Sequence, residues 1–391
     1  MDNDTFTLLL DTVRRFVDER LIPAEDRVEE EDAVPEEIVA EMRDMGLFGL
    51  SIPEEYGGLG LTMSEEVQVI FELGRTASAF RSIIGTTVGI GSQGIVMDGT
   101  EAQKREWLPR LAQGMISSFA LTEPDAGSDA ASIQTSAVLE PRSGSGSGGD
   151  HYRLNGTKRY ITNARRAGML TVMARSEKDV KGAGGVSAFI VPTDTPGLTF
   201  GKADRKMGQK GTVTSDVIFD DVMVPAANLI GGEPGRGLKT AFKVLDRGRI
   251  HLSAAASGMC HRLVAESVGY AAGRKQFGQP VAAFQLVQGL IADSHTDALA
   301  AWCMTRDVAA RYDAGEKVSR DVAATKYFAS EALGRCADRA VQVHGGAGYM
   351  AEYKVERFYR DVRLMRIYEG TSQIQQTIIA RNLLREAGLA I

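Results

Sequence analysis

The hydrophobic periodicity of this chain changes twice, and this change constrains the fold more than any other feature. Up to about residue 113, apolar residues recur at spacings of three and four, as in residues 6–17, which indicates amphipathic helices. Between residues 117 and 225, short β-type runs alternate with turn residues. From about residue 235, long alanine-rich helical patterns return. The predicted order along the chain is therefore α, then β, then α.

The length and the composition agree with a folded chain of several domains. The 391 residues suggest two or three domains, and the shares of hydrophobic (43%) and charged (25%) residues exclude disorder, collagen and coiled coil. Residues 143–149, rich in serine and glycine, predict a flexible hairpin loop or short linker. We predict a mostly α fold with a central β domain, divided into an N-terminal helical domain (1–116), a small antiparallel β-barrel-like domain (117–230) and a C-terminal four-helix-bundle domain (231–391).

The charged residues, cysteines and histidines exclude several classes of function. The net charge is −6 and no run of Lys and Arg exceeds two residues, which argues against nucleic-acid binding. The three cysteines lack CxxC spacing and the five histidines form no HExxH motif, so we expect neither disulfides nor a metal site. No apolar run approaches the ~18 residues of a membrane span, and the N-terminus lacks a basic leader. We expect a cytoplasmic bacterial protein, or a mitochondrial matrix protein if it is processed from a eukaryotic precursor.

Residues 232–240 come close to a phosphate-binding P-loop without matching it. The motif needs Gly-Lys-Thr to be contiguous, and Leu238 separates the glycine from the lysine. The preceding segment does not have the pattern of a buried parallel strand either. We therefore predict a turn that leads into a helix, and not a nucleoside triphosphatase.

Two segments of the β region could contact a ligand. In residues 119–129, Thr122 and Ser128 offer hydroxyl groups and Gly127 allows the backbone to approach a flat heteroaromatic ring or a pyrophosphate. An ordinary turn is the alternative, and composition alone favours the turn. Residues 158–164, taken alone, predict the end of a buried strand.

Three segments of the second helical region carry further candidates. Arg274, in residues 274–280 between two helices, could pair with a phosphate or lie in a surface turn. Residues 342–349 predict a helix that ends in glycines. Glu369, followed by Gly370, has the position of an acid that caps a helix start, but it could instead be a base held against a ligand.

Together, the order and spacing of these segments resemble the acyl-CoA dehydrogenase family of flavoproteins over essentially the whole chain. The resemblance is carried by residues 121–129, 158–163, 274–278, 345–348 and 368–371. It implies an oxidoreductase of lipid metabolism that acts on CH–CH groups, as in fatty acid β-oxidation. Such an enzyme converts an acyl-CoA thioester to trans-2-enoyl-CoA: a carboxylate takes the Cα proton, FAD takes a hydride from Cβ, and the electrons pass to electron-transfer flavoprotein.

The resemblance also implies that Glu369 is the catalytic base. Relatives such as isovaleryl-CoA dehydrogenase carry the base directly before the arginine of the segment matching residues 245–249, where this chain has Gly248. Since the Cα proton is poorly acidic, the base must be close and buried, and desolvation beside an acyl chain should raise its pKa from ~4.3. The N–H of Glu369 and a ribityl hydroxyl of the flavin would polarise the thioester oxygen.

Further residues are implied by the resemblance to hold FAD and substrate. Those that would line the flavin ring and pyrophosphate are Phe119, Leu121, Thr122, Gly127, Ser128, Tyr160, Ile161 and Thr162. Tyr160 stands where the family often has tryptophan, and it keeps an aromatic wall. Those that would contact the adenosine part are Thr371 and Gln373, and those that would contact the acyl-CoA are Ser128, Asp246, Arg249 and Gly370.

A second set is implied to reach the FAD of a neighbouring subunit. It comprises Arg274, Gln276, Phe277, Gln285, Gln342, Val343, Gly345 and Gly346. A cofactor shared between subunits requires at least a dimer, and the family norm is a homotetramer built as a dimer of dimers.

The acyl group follows less directly from the sequence. Arg81 lies in a segment that resembles the one with which glutaryl-CoA dehydrogenase binds a distal carboxylate, although a cation on a surface helix is the alternative. We therefore expect a short- or medium-chain acyl-CoA, or a dicarboxylyl-CoA such as glutaryl-CoA. An acyl-CoA oxidase is disfavoured by the absence of an extra C-terminal helical domain, and a non-catalytic assembly protein by the intact Glu369 and flavin loop.

Overall fold

The computed structural model describes residues 1–141 and 149–389. The expected arrangement of two helical parts around a β part is confirmed, and the predicted hairpin loop at residues 143–149 falls almost entirely outside the described residues. The helices are α1 (Asn3–Phe16), α2 (Ile22–Glu31), α3 (Glu36–Asp44), α4 (Met63–Gly74), α5 (Ser78–Gly85), α6 (Gln93–Asp98), α7 (Glu101–Ala112), α8 (Gly237–Gly273), α9 (Gln285–Asp313), α10 (Ser319–His344), α11 (Lys354–Val362) and α12 (Ser372–Glu386). The strands are β1 (Ser117–Ala120), β2 (Ser136–Glu140), β3 (His151–Thr162), β4 (Met169–Arg175), β5 (Val186–Pro192), β6 (Leu198–Phe200), β7 (Thr214–Pro225), β8 (Lys275–Gln276) and β9 (Gln279–Pro280).

Threonine caps start two helices of the N-terminal part. The Thr62 hydroxyl accepts the backbone N–H of Glu65, whose carboxylate in turn accepts the N–H of Thr62. Thr100 and Gln103 form the same reciprocal pair at the start of α7. Each pair satisfies two backbone donors that the first turn of a helix leaves free.

Helix α5 is tied to the end of strand β3, and this contact fixes one corner of the functional site. The Asn163 side chain donates to the Ser82 carbonyl at 2.8 Å and to the Thr86 hydroxyl at 3.0 Å. A π-helical segment, Thr86–Gly91, then carries the chain towards β1. The Thr87 hydroxyl of this segment accepts the N–H of Ser117, so α5 is held at the end of β3 and the segment that follows α5 is held on β1.

The first seven strands form one sheet, in which β4 pairs with β1, β2 and β5, and β2, β3, β7 and β6 follow in order. Most pairs are antiparallel, as predicted, but β4 pairs in parallel with β1, Ser117 opposite Met169, and with β2, Ser136 opposite Arg175. This difference has a physical reason. Strands joined by a tight hairpin must be antiparallel, whereas β1 and β4 are joined through the β2–β3 hairpin and can run in the same direction.

Four long helices dominate the C-terminal part: α8, α9 and α10 pack on one another and α12 packs on α10. Helix α8 also packs on α4, and glycine makes this approach close. An added Cβ at Gly258 would lie 2.0 Å from the Phe71 carbonyl oxygen, and one at Gly74 would lie 2.5 Å from that of Ala255. Residues 232–236 form the predicted turn into α8. Among the described residues, no helix has both the length and the apolar character that a membrane span requires.

Candidate active site

A cavity of about 610 Å³ lies where α5, the sheet, α8 and α12 meet. Motifs that are far apart in the sequence converge there. From the predicted set, the residues that line it are Arg81, Phe119, Leu121, Thr122, Gly127, Ser128, Tyr160, Ile161, Thr162, Asp246, Arg249, Glu369 and Gly370. A second cavity of about 620 Å³, between α10 and α11, is rich in arginine and contains no predicted site residue. The first cavity is therefore the candidate active site.

Glu369 faces this cavity, and its carboxyl is held away from solvent. The residue as a whole is partly accessible from the cavity, but its Oε2 atom is enclosed and has no hydrogen-bond partner in the described chain. Desolvation raises the pKa of Glu369, while the positive charges of Arg81, Arg249 and Lys326 act in the opposite direction. The helix cap that was the alternative for this acid is supplied by Thr371, whose hydroxyl accepts the N–H of Ile374.

Gly248 leaves the space that the Glu369 carboxyl occupies. An added Cβ at Gly248 would lie 2.6 Å from Oε2 of Glu369 and 2.8 Å from a methyl of Ile90. A side chain at position 248 and the side chain of Glu369 therefore point at the same place, and only one of them fits there. This geometry explains how a base on α8 and a base at position 369 can be alternatives.

The backbone around Glu369 is held by three side chains, Arg249, Lys326 and Gln375, which we call the carbonyl clamp. Their hydrogen bonds go to the carbonyl oxygens of Glu369 and Gly370. Lys326 and Gln375 were not among the predicted site residues. Lys326 occupies a core-facing position of the α10 pattern and is only 1% exposed. A lysine at a position where the helix pattern requires an apolar residue is therefore the sequence signal that could have identified Lys326 as a site residue.

The loop after β1 is held by a buried ion pair. Lys158 donates to Oε1 of Glu123 at 2.7 Å and to the Leu121 carbonyl at 3.0 Å, and the Glu123 carboxylate also accepts the N–H groups of Gln134 and Thr135. Burial lowers the pKa of Lys158 to about 8, and the charge of Glu123 opposes this effect. The pair holds the chain at Leu121 against strand β3.

The cavity wall formed by this loop and β3 suits a flat ring system with phosphates. A Cβ added at Gly127 would meet no atom within 4 Å, so the backbone there is open to a ligand. The hydroxyls of Thr122 and Ser128 make no hydrogen bond within the described residues. Tyr160 lies at an irregularity in the β3–β7 register, with φ of +59°, and the residue is 61% exposed. These features fit FAD.

Arg81 is a buried cation at the cavity, so the alternative of a surface cation is wrong. It is 7% exposed, one guanidinium nitrogen lies 2.5 Å from Nδ1 of His251, and its Nε has no partner. Burial lowers the pKa of His251 well below its usual value, so the ring is neutral. Behind it, Nε2 of His251 lies 3.6 Å from Glu66, which is paired with Arg247. Among the described residues, no carboxylate forms an ion pair with Arg81.

The remaining predicted residues lie outside this cavity. The ends of α8 and α10 are adjacent, since the rings of Tyr270 and His344 stack at 4.2 Å. The residues predicted to reach the FAD of a neighbouring subunit are exposed, except for Val343, whose side chain is buried in its own chain. Gln373 is exposed on α12, beside the capping residue Thr371. In the single chain these residues form no site with Glu369.

Comparison with known proteins relates the whole chain to one family. Family models described as the N-terminal, middle and C-terminal domains of acyl-CoA dehydrogenase match residues 3–115, 118–222 and 235–384. An acryloyl-CoA reductase (NADH) of Anaerotignum propionicum is 40% identical over 379 residues, which cover 97% of this chain and 94% of that protein. A probable acyl-CoA dehydrogenase of Bacillus subtilis is 40% identical over 97% of both chains.

A solved structure shows the same fold. Butyryl-CoA dehydrogenase from Megasphaera elsdenii superimposes with a TM-score of 0.92 at 35% identity, covering 98% of this chain and 100% of that one. The chain belongs to the acyl-CoA dehydrogenase family and is an oxidoreductase whose cofactor is FAD.

Proposed function

We propose that this protein catalyses the α,β-desaturation of an acyl-CoA thioester, with Glu369 as the base. The observation that carries the proposal is the enclosed, unpartnered Oε2 of Glu369 at the cavity. A carboxylate without hydrogen-bond donors and with a raised pKa is a good proton acceptor. Glu369 takes the Cα proton, the electrons of the Cα–H bond form the Cα=Cβ double bond, and the Cβ hydrogen leaves as a hydride. Bound FAD supplies the acceptor for that hydride.

The protein's own groups orient the base and the thioester. Arg249 donates to the Glu369 carbonyl at 3.0 Å and pairs with Asp246 at 2.7 Å, so it links α8 to the base. The backbone N–H of Glu369 is the group that we propose to polarise the thioester oxygen. Ser128 and Gly370, at the cavity wall, complete the proposed contacts to the acyl-CoA.

The experiment is the anaerobic addition of acyl-CoAs of graded chain length to the purified holoenzyme. The proposal predicts loss of the flavin absorbance and formation of one enoyl-CoA per flavin reduced. Rapid reoxidation of the reduced enzyme by air would instead favour an acyl-CoA oxidase. A colourless protein that binds no FAD would favour an assembly protein and refute the proposal. Electron-transfer flavoprotein is the proposed acceptor, and it should reoxidise the reduced enzyme faster than air does.

Reduction of an unsaturated acyl thioester is a second candidate, because one similar protein is named an acryloyl-CoA reductase. In that direction Glu369, protonated, would give its proton to Cα, as the raised pKa allows. The two directions are distinguished by adding enoyl-CoA to the reduced enzyme and acyl-CoA to the oxidised enzyme. The faster half-reaction at neutral pH identifies the direction that the site favours.

For the acyl group, we propose a substrate with a distal carboxylate, bound by Arg81. Arg81 is a buried guanidinium that forms no ion pair among the described residues and whose hydrogen-bond partner is a neutral histidine, so an acyl carboxylate in the cavity would give it a direct ion pair. Arg81→Met removes a charge that acts on Glu369 with either substrate, but it should lower kcat/KM for glutaryl-CoA by roughly 10–100-fold more than that for butyryl-CoA, the usual value of a charge-assisted hydrogen bond. Equal losses with both substrates would refute this assignment.

We also propose that the chain is a homotetramer in which the ends of α8 and α10 contact the FAD of a neighbouring subunit. This surface is apolar as well as polar: Phe277 is 93%, Leu286 88% and Tyr349 82% exposed. Arg274→Ala should weaken FAD binding without changing the thermal midpoint of the FAD-free protein. Tight FAD binding by a monomer, measured by sedimentation, would refute the shared site. The contacts of Thr371 and Gln373 with the adenosine part stay predictions.

A further inference from the structure

Three side chains from three helices hold the backbone that carries Glu369. Arg249 of α8 donates to the Glu369 carbonyl at 3.0 Å. Lys326 of α10 donates to the Gly370 carbonyl at 2.8 Å. Gln375 of α12 donates to both carbonyls, at 3.2 and 3.0 Å. Four hydrogen bonds therefore fix the orientation of two successive peptide groups beside the cavity.

The held backbone is in a costly conformation. Glu369 has φ of +55°, in the left-handed region that side-chain-bearing residues rarely adopt, and Gly370 follows with φ of +92°. Such conformations persist only where the surrounding structure enforces them, and they concentrate at functional sites. The carbonyl clamp holds this conformation, because Arg249 and Gln375 are buried, 6% and 0% exposed, and their side chains are fixed by the surrounding structure.

Lys326 is the unexpected member of the clamp. Its side chain is buried, and its hydrogen bond goes to a neutral carbonyl, with no ion pair among the described residues. Burial lowers its pKa to about 8, while the nearby charge of Glu369 favours the ammonium form. A buried lysine without a carboxylate partner destabilises a fold, so its hydrogen bond to Gly370, the residue that follows the base, points to a role in the site.

From this geometry we infer that Lys326 and Gln375 are positioning residues for the catalytic base. Gln375 acts through hydrogen bonds alone, and Lys326 acts both through a hydrogen bond and through its charge. Neither is in the set that lines the cavity, so neither is proposed to touch the acyl group. The inference rests on the proposed role of Glu369.

The charges around Glu369 determine the sign of the expected effect. Arg81 faces it from α5, Arg249 from α8 and Lys326 from α10. Of the anions nearby, Asp246 is paired with Arg249, and Glu331 is paired with Arg366 and accepts the Ser372 hydroxyl. Tyr368, the neighbour of Glu369, has a pKa raised to about 12 and is neutral at working pH. Removing the Lys326 charge should therefore raise the pKa of Glu369, and the carboxylate form should appear only at higher pH.

The test measures proton transfer without hydride transfer. A 3-thia-acyl-CoA, in which sulfur replaces Cβ, has no Cβ hydride to lose, so exchange of its α-protons in D₂O reports the base alone. We expect the acid limb of the pH profile for Lys326→Met to move up by about one pH unit. Lys326→Arg should restore the wild-type limb. Gln375→Leu should lower the exchange rate about tenfold at every pH, and the acid limb of its pH profile should stay where it is in the wild type.

Controls separate this inference from a loss of fold and from the proposed function. Lys317→Met, at an exposed lysine before α10, should leave the profile and the thermal midpoint unchanged. If Lys326→Met does not fold, Lys326→Gln, which keeps a donor but no charge, takes its place. The inference would be overturned if the acid limb of the pH profile of Lys326→Met or Lys326→Gln matched that of the wild type. It would also be overturned by a wild-type exchange rate in Gln375→Leu. Exchange that survives in Glu369→Gln would instead overturn the proposed base.

Discussion

Gly248→Ala should slow the enzyme without unfolding it. The new methyl group would lie 2.6 Å from Oε2 of Glu369 and 2.8 Å from a methyl of Ile90, whereas ordinary contacts are about 3.5 Å. The Glu369 carboxyl must therefore move by roughly 1 Å, a displacement that typically costs about 100-fold in rate. Alanine gains up to about 1 kcal/mol of helix propensity over glycine, which offsets part of the steric cost.

The assay is the rate of anaerobic flavin reduction by a saturating acyl-CoA, measured together with the thermal midpoint. Gly269→Ala is the matched control, because it lies on the same helix and its added Cβ would meet no atom within 4 Å. We expect this control to keep the wild-type rate and to be slightly more stable. A wild-type rate in Gly248→Ala would refute the reasoning, since it would mean that the position of the Glu369 carboxyl is not confined by α8.

Two further predictions concern stability and FAD binding. Lys158→Met leaves Glu123 buried without its partner, so it should lower the free energy of unfolding, measured by urea titration, by roughly 3–5 kcal/mol and weaken FAD binding. Lys202 is exposed, so Lys202→Met is the control that should change neither quantity. Burial raises the pKa of Asp361 to about 6, so the folded protein binds this proton more tightly than the unfolded chain does. The carboxyl therefore stabilises the fold below pH 4, and this contribution to the free energy of unfolding falls by up to about 3 kcal/mol as the pH rises from 4 to 6. Asp361→Asn should remove that part of the pH dependence of the thermal midpoint, and an unchanged dependence would contradict it.

The elements could be predicted from the sequence because their signals are local. Strand β1 begins at Ser117 and β7 ends at Pro225, where the β-type pattern begins and ends. The cap at Thr100 can also be recognised in the sequence, because it depends only on Thr100 and on Gln103, three positions later. The parallel pairing of β1 with β4 could not be predicted, because strand direction within a sheet depends on the path of the whole chain and not on the pattern of one strand.

The site was only partly predictable. Its motifs identified Glu369 and the loop at Leu121, but spacing alone left the role of each open, and the structure brings both to one cavity. Lys326 and Gln375 were missed because each lies within a helix pattern and donates its hydrogen bonds to backbone carbonyls, which no sequence motif marks. The burial of Arg81 could not be seen either, because one cation in a short helix resembles a surface residue.

The central claim, that Glu369 is the base, is tested most directly by anaerobic flavin reduction in Glu369→Gln. The amide keeps the shape of the side chain but cannot take the Cα proton. We predict that this variant binds FAD as the wild type does and that an acyl-CoA reduces its flavin at least 100-fold more slowly, the usual contribution of a general base. Reduction at the wild-type rate would contradict the claim.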